Sequence, residues 1–137
     1  MYRRDYLVKQ FEEFGKVLGV ILGLKREGNL SQLNDMISEA AQKYAATEID
    51  YVESIPDELL LKTLIEEKKL TDEQLKMLAD LLFEKAEFYL NSGLPETQSH
   101  NCYKKTFLIY SFLKENATLN YSLDMHYKLE LLVKMNL

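Results

Sequence analysis

The sequence is short of the residues that interrupt regular secondary structure. Its 137 residues include no tryptophan, one cysteine, two prolines and five glycines. Because the turns of all-β folds depend on glycine and proline, so few of them exclude a turn-rich β protein. A single cysteine, Cys102, rules out an intrachain disulfide and favours a reducing compartment. We therefore expect a cytoplasmic protein built from long helices.

An excess of basic charge is also missing. The formal net charge is −5 and no basic stripe is present, whereas nucleic-acid binding needs a positive footprint. The apolar run at 17–24 is far shorter than the ~20 residues of a membrane span. Acidic residues precede this run and no small-residue cleavage site follows it, which argues against a signal peptide. The sequence thus predicts neither a nucleic-acid partner nor a membrane span.

What the sequence does contain is apolar residues at helical spacing, at an overall content of 47%. We predict one all-α domain, 1–137, of about six helices in antiparallel hairpins, with N-terminal helices in 1–70 and a second group in 71–137. The second predicted helix is open to a break at residues 45–47. The predicted helices are approximately Tyr2–Arg26, Leu30–Glu53, Pro56–Lys68, Thr71–Asn91, Pro95–Asn116 and Leu119–Met135.

Helix ends are marked by specific residues. Thr71 and Gln74 have the spacing of a capping box, in which each side chain bonds the other residue's backbone amide. Asn29 with Gln32 resembles a second such box. Gly28 and Gly93 are placed to end the helices before them. These signals predict helix starts near 30 and 71, and helix ends near 28 and 93.

Three glycines, Gly15, Gly19 and Gly23, recur every four residues inside the first helix. Each costs ~1 kcal/mol relative to alanine in a helix, so a stripe of three indicates a purpose. Such a stripe lets another backbone approach closely. The interpretation we favour is a tight crossing with another helix of the same chain. A self-association face, or an amphipathic segment lying on a membrane, are the alternatives.

Residues 82–106 resemble one degenerate tetratricopeptide repeat, in which small residues close two antiparallel helices and aromatics fill the space beside them. Lys85 and Ser111 depart from the family pattern, which usually has leucine and proline there. The residues that match its large, small, aromatic and glycine positions are Leu82, Ala86, Tyr89, Gly93, Ser99, Tyr103 and Thr106.

This resemblance implies where a partner would bind. The family's ligand-facing positions on the first helix of the repeat are taken by Asp80, Phe83, Glu87, Leu90 and Asn91. Because two of them are acidic, an acidic peptide tail is disfavoured as the ligand. A single repeat also offers no extended groove, since about three are normally needed.

The chain as a whole is similar to a functionally uncharacterised family of small, all-helical bacterial proteins. Residues 1–6 and 75–85 carry that resemblance, which implies a fold but no activity.

Candidate catalytic or metal-binding groups are few. His100 with Glu96, and His126 with Glu130, are i,i+4 pairs that surface ion pairing explains without a metal. Cys102 would need a neighbouring base to act as a nucleophile, and a lone helical cysteine is typically a small buried side chain. We therefore predict no catalytic residue, metal or cofactor.

The function we predict is a non-catalytic protein–protein interaction module of tetratricopeptide-like type. Its partner is another protein or a second copy of the chain. A structural homo-oligomer, a regulator that binds a small apolar ligand between helices, and a membrane-peripheral protein are the alternatives.

Overall fold

The computed structural model describes residues 2–116 and 122–137, and the side chains of all of these except 2–4. Within these ranges the chain is helical and has no β-strand, which confirms the all-α prediction. No helix in the same ranges combines the length and the hydropathy needed to cross a membrane. The α-helices are α1 (Tyr2–Glu27), α2 (Leu30–Ala45), α3 (Ile49–Ser54), α4 (Leu60–Lys62), α5 (Asp72–Asn91), α6 (Glu96–Glu115) and α7 (Leu123–Lys134).

The structure differs from the predicted helices in the N-terminal half. The second predicted helix is divided because Ala46 adopts a left-handed conformation, with φ of 51°, and ends α2. The third is irregular: α4 lies between a 3-10 turn, Asp57–Leu59, and a π turn, Thr63–Glu67. The predicted start of the last helix, Leu119, lies outside the described residues. The count of about six helices is therefore close to the seven that the described residues form.

The four helix ends that the sequence marks, near residues 28, 30, 71 and 93, are confirmed. The Gln74 amide donates to Thr71 Oγ1 at 3.1 Å, and the Thr71 amide donates to Gln74 Oε1 at 3.0 Å, which completes the capping box of α5. Gly28 and Gly93 end α1 and α5 with φ of 74° and 71°, a conformation that glycine adopts without strain. Asn29 caps α2 by accepting from the Gln32 amide at 3.3 Å. The second capping box is incomplete, because Gln32 Oε1 accepts from the Asn29 side chain at 2.9 Å and not from the Asn29 backbone amide.

Antiparallel hairpins build the core. On α5 and α6, Asp80 contacts Tyr110 and Glu87 contacts Tyr103, so a step forward along one helix is a step back along the other. Helix α2 packs against both α1 and α5, and α7 packs on α6. One continuous hydrophobic core joins these layers, from Phe14 of α1 to Leu132 of α7.

We predict that Ala46→Gly raises the free energy of unfolding by about 0.5–1 kcal/mol. Glycine avoids the ~1–2 kcal/mol that an L-residue pays in the left-handed region, and gives back part of that gain through its freedom in the unfolded chain. The matched control, Ala45→Gly, changes a buried helical residue and should cost about 1 kcal/mol or more. Urea denaturation measures both. Destabilisation by Ala46→Gly would contradict this account of the break between α2 and α3.

Candidate interaction surfaces

Helix α5 buries three charged side chains, Asp80, Glu84 and Lys85, which are 1%, 3% and 3% exposed. A buried charge is costly unless it is paired and hydrogen-bonded. Each of the three therefore requires a polar partner, and each finds one on a different helix. The pairs are Asp80 with Tyr110 of α6, Glu84 with Lys25 of α1, and Lys85 with Asn34 of α2.

A second buried lysine, Lys105 of α6, is held in the same way. Its Nζ donates to Asp57 Oδ1 at 2.7 Å and to Asn101 Oδ1 at 3.0 Å. Since Asp57 begins the 3-10 turn before α4, this contact fastens the irregular segment 57–67 to α6.

The predicted partner-binding positions on α5 do not form one accessible surface. Asp80 is buried against Tyr110, and Phe83 is 8% exposed with its ring edge-on to Tyr103, 5.7 Å between centroids. Glu87 accepts from Lys25 at 3.1 Å and also from Tyr103. These three are therefore engaged within the chain.

Of the five positions, the remaining two, Leu90 and Asn91, are exposed. The resemblance placed Asp80 and Phe83 on the ligand-facing side of α5. In this chain α6 packs against that side, so the two side chains are buried. A partner-binding role for Leu90 and Asn91 stays a prediction.

The glycine stripe of α1 is open. Gly15 and Gly19 are exposed, and a Cβ built on Gly15, Gly19 or Gly23 would meet no atom of the described residues within 4 Å. The favoured interpretation from the sequence, a tight crossing within the chain, is therefore wrong. The reason is rotation about the helix axis, because α1 turns Phe14 and Ile21 into the core. Gly15 follows Phe14 by one residue, Gly23 follows Ile21 by two and Gly19 precedes Ile21 by two, so each glycine lies about 100–200° round the helix from a core residue. We call Gly15, Gly19 and Gly23 the glycine face.

Helix α7 presents a second uncovered face. Its Met125, Leu129 and Leu132 are buried. On the other side, Leu123 and Tyr127 are 83% and 63% exposed, and with Val133 they are the most exposed of the large apolar side chains in the described residues. Sequence reasoning missed this face, although the spacing of Leu123 and Tyr127, offset from the buried stripe, was available as a signal. We call Leu123 and Tyr127, with Glu130 and Lys134 beyond them, the outer face of α7.

A groove of 660 Å³ runs between α6 and α7. Phe107, Leu129 and Val133 supply its apolar surface, and charged side chains including Lys114 and Glu130 lie along it. The groove is open to solvent rather than enclosed, whereas small-molecule sites usually bury most of their ligand. Its shape gives the ligand-binding alternative no specific support.

Cys102 is buried, as the sequence predicted. Its thiol donates to Glu53 Oε1 at 3.5 Å, and the same oxygen accepts from Tyr89 at 2.6 Å. Burial, with the nearby Glu53 carboxylate, raises the pKa of the Cys102 thiol, so the thiol stays protonated. A protonated, buried thiol bound to a carboxylate is a poor nucleophile.

Both histidines are exposed, whereas Cys102 is buried. His126 Nε2 pairs with Glu130 Oε1 at 3.0 Å on the exposed side of α7, as the i,i+4 spacing predicted. His100 lines a shallow pocket with Glu96 and Asp57. In 2–116 and 122–137, no group of three or more His, Cys, Asp or Glu side chains is arranged to hold a metal ion.

Comparisons of this chain with protein-family models, curated proteins and solved structures give no match. The similarity to the tetratricopeptide repeat and to the bacterial family therefore stays a prediction.

We predict that Tyr110→Phe lowers the free energy of unfolding by about 1–3 kcal/mol, because it removes a hydrogen bond from the buried Asp80 carboxylate. Tyr51→Phe, at a side chain that is 43% exposed, is the matched control and should stay within about 0.5 kcal/mol of wild type. Equal effects of the two substitutions in urea denaturation would show that the Asp80 contact does not matter for stability.

We also predict that stability falls as the pH rises above about 9. Burial raises the pKa of Cys102, Tyr103 and Tyr110, so the folded chain holds these protons more tightly than the unfolded chain. The resulting stabilisation is complete below the unfolded pKa values, about 8.5 for cysteine and 10 for tyrosine, and is lost above them. Denaturation from pH 7 to 11 measures this loss. Tyr110→Phe should flatten the fall above pH 10, whereas Tyr51→Phe should leave it unchanged.

Proposed function

We propose that this chain is a non-catalytic protein–protein interaction module that binds a helix of another chain on the glycine face of α1. The observation that carries the proposal is the open space over Gly15, Gly19 and Gly23, where an added Cβ would meet nothing within 4 Å. Three helical glycines cost ~1 kcal/mol each relative to alanine. Among the described residues, no close packing offsets that cost.

A helix from outside can use this surface. Without side chains at these positions, two backbones can approach more closely than the usual 8–10 Å between helix axes. Val8 and Leu22 lie on the same side of α1 and are 50% and 41% exposed, so apolar area is available beside the glycines. An interface of this kind gains its energy from close backbone packing and from burial of those neighbours.

The α5–α6 hairpin supports the tetratricopeptide-like part of the proposal. Ala86 and Thr106 are fully buried and Ser99 nearly so, in keeping with their role as small residues that let the two helices close. At the departure from the pattern, the Lys85 ammonium bonds Asn34 and lies 5.0 Å from the centre of the Tyr89 ring. Its aliphatic stem can thus occupy the space of the usual leucine. We propose one repeat-like hairpin, in a member of the bacterial family named above.

The non-catalytic part of the proposal is supported by the chemistry of the buried groups. The carboxylates and lysines of the interior pair with one another or with neutral side chains, and Cys102 is protonated and bound to Glu53. A reducing, cytoplasmic setting is proposed because the lone cysteine is buried and needs no partner.

The test is affinity capture from cells of the source organism, with wild type, Gly19→Leu and Gln42→Leu as baits. We expect Gly19→Leu to weaken binding of the true partner about tenfold or more, because the new side chain separates the two helices. Gln42→Leu also adds an exposed leucine, but on α2, and should bind as wild type does. Partners that bind all three baits equally would overturn the proposal.

The same variants separate binding from folding. None of the described atoms lies near the Cβ position of Gly19, so a leucine side chain fits there without a clash. The free energy of unfolding of Gly19→Leu, measured with urea, should therefore equal that of wild type or exceed it by up to about 1 kcal/mol. Lost binding with retained stability identifies a contact surface. Clear destabilisation would instead show that the glycine face is packed within the chain.

A further inference from the structure

The outer face of α7 is a helix face that nothing in the described residues covers. Leu123 is 83% exposed and Tyr127 63%, although both are large and apolar. They lie one turn apart, and Glu130 and Lys134 continue the same line towards the end of the helix. From the N-terminus to the C-terminus of α7, the outer face therefore presents two protruding apolar side chains, then an acidic one and then a basic one.

The glycine face of α1 has the complementary form. Gly19 and Gly23 provide a flat surface, and the exposed Lys16 and Glu12 continue the same line towards the N-terminus of the helix. From the C-terminus towards the N-terminus of α1, this face therefore presents two glycines, then a basic side chain and then an acidic one. Both helices rise ~1.5 Å per residue, so a register set at one point is kept along the contact.

We propose that the helix received by the glycine face is α7 of a second copy, bound antiparallel with Tyr127 over Gly19. This inference rests on the proposed function and names its partner. In that register Leu123 lies over Gly23, so each of the two protruding side chains meets a position where an added Cβ would touch none of the described residues. Lys16 then faces Glu130, and Glu12 faces Lys134.

The charges select this direction. Antiparallel alignment brings two pairs of opposite charge together and no pair of like charge. Parallel alignment of Gly19 with Tyr127 still gives Lys16 an acidic partner, Asp124, but it sets Arg26 against Lys134. An exposed pair of opposite charges and an exposed pair of like charges each change the affinity by a similar small amount, so two attractive pairs favour the antiparallel direction over one attractive and one repulsive pair. Register and direction therefore follow from the charges, and the affinity follows from the apolar contacts.

The symmetric alternatives use the surfaces less well. Two copies of α7 paired antiparallel about the middle of the outer face would set Tyr127 against Glu130 and Leu123 against Lys134, so that apolar side chains meet charges. Two copies of α1 paired at Gly19 would leave the outer face of α7 uncovered. The α1–α7 contact covers both faces at once, because the protruding side chains of α7 fit the flat glycine face of α1.

A contact between two different faces can be made reciprocally by two copies, which gives a closed dimer, or it can join each chain to one neighbour through α1 and to another through α7. Contacts of the second kind close into rings when the rotation between copies permits and otherwise build open chains. Sedimentation of the wild-type chain should therefore show a mass that rises with concentration, either without limit or to a fixed dimer or ring. A chain that stays monomeric up to several hundred micromolar would overturn the inference.

Disulfide cross-linking tests the register. Full-length Gly19→Cys is mixed with full-length Tyr127→Cys under mild oxidation, with buried Cys102 left in place. We expect the mixed disulfide between positions 19 and 127 to dominate over both homodimers. Gln42→Cys mixed with Tyr127→Cys is the matched control and should give little mixed product. Predominance of the 19–19 or the 127–127 homodimer would establish one of the symmetric contacts and overturn this one.

Charge reversal gives an independent measurement. Lys16→Glu and Glu130→Lys should each lower the self-association constant about two- to fivefold, and the double variant should recover most of the loss because opposite charges face each other again. Lys43→Glu, an exposed reversal on α2, should leave the constant unchanged. Absence of recovery in the double variant would count against the register.

These outcomes separate the two proposals. Capture of a different protein that depends on Gly19, from a chain that remains monomeric, would keep the proposed function and overturn the second copy as partner. Self-association that is unaffected by Gly19→Leu, together with unaffected capture, would overturn both.

Discussion

The interaction on which the fold depends is the pairing of buried charge along α5. An apolar helix can slide or rotate against its neighbours at modest cost, whereas a buried carboxylate or ammonium that loses its partner costs several kcal/mol. Helix α5 carries three such groups in its central turns, at Asp80, Glu84 and Lys85. Asp80 also pairs with Lys76 of α5 itself. The partners from other helices are Tyr110 of α6, Lys25 of α1 and Asn34 of α2, and these contacts relate the positions of the three helices to α5.

This arrangement explains which side of α1 remains open. Lys25 lies at the C-terminal end of α1, where it reaches both Glu84 and Glu87, and it is one turn beyond the buried Ile21. Because Phe14, Ile21 and Lys25 face α2 and α5, the glycines on the other side of α1 face away from these helices. The exposed glycine face thus follows from interactions made on the opposite side of the same helix.

Local features were predictable because their causes are local. The capping box of Thr71 and Gln74 involves residues three apart, and the glycine ends of α1 and α5 need only a positive φ. The break at Ala46 was recognised as a possible division and no more. Alanine ordinarily continues a helix, so its residue type alone does not predict the left-handed conformation that Ala46 adopts between the buried Tyr44 and Ile49.

By itself the sequence determined the helical structure of the described residues, the capping of the main helices, the burial of Cys102 and an acidic charge balance. Each of these depends on composition or on residues within one or two turns of each other. Tertiary structure alone decided that Asp80 and Phe83 are buried, that the glycines are open and that α7 shows an apolar outer face. Helical periodicity predicts which residues share a face of a helix. Which face another helix covers depends on the tertiary contacts that pair the buried charges.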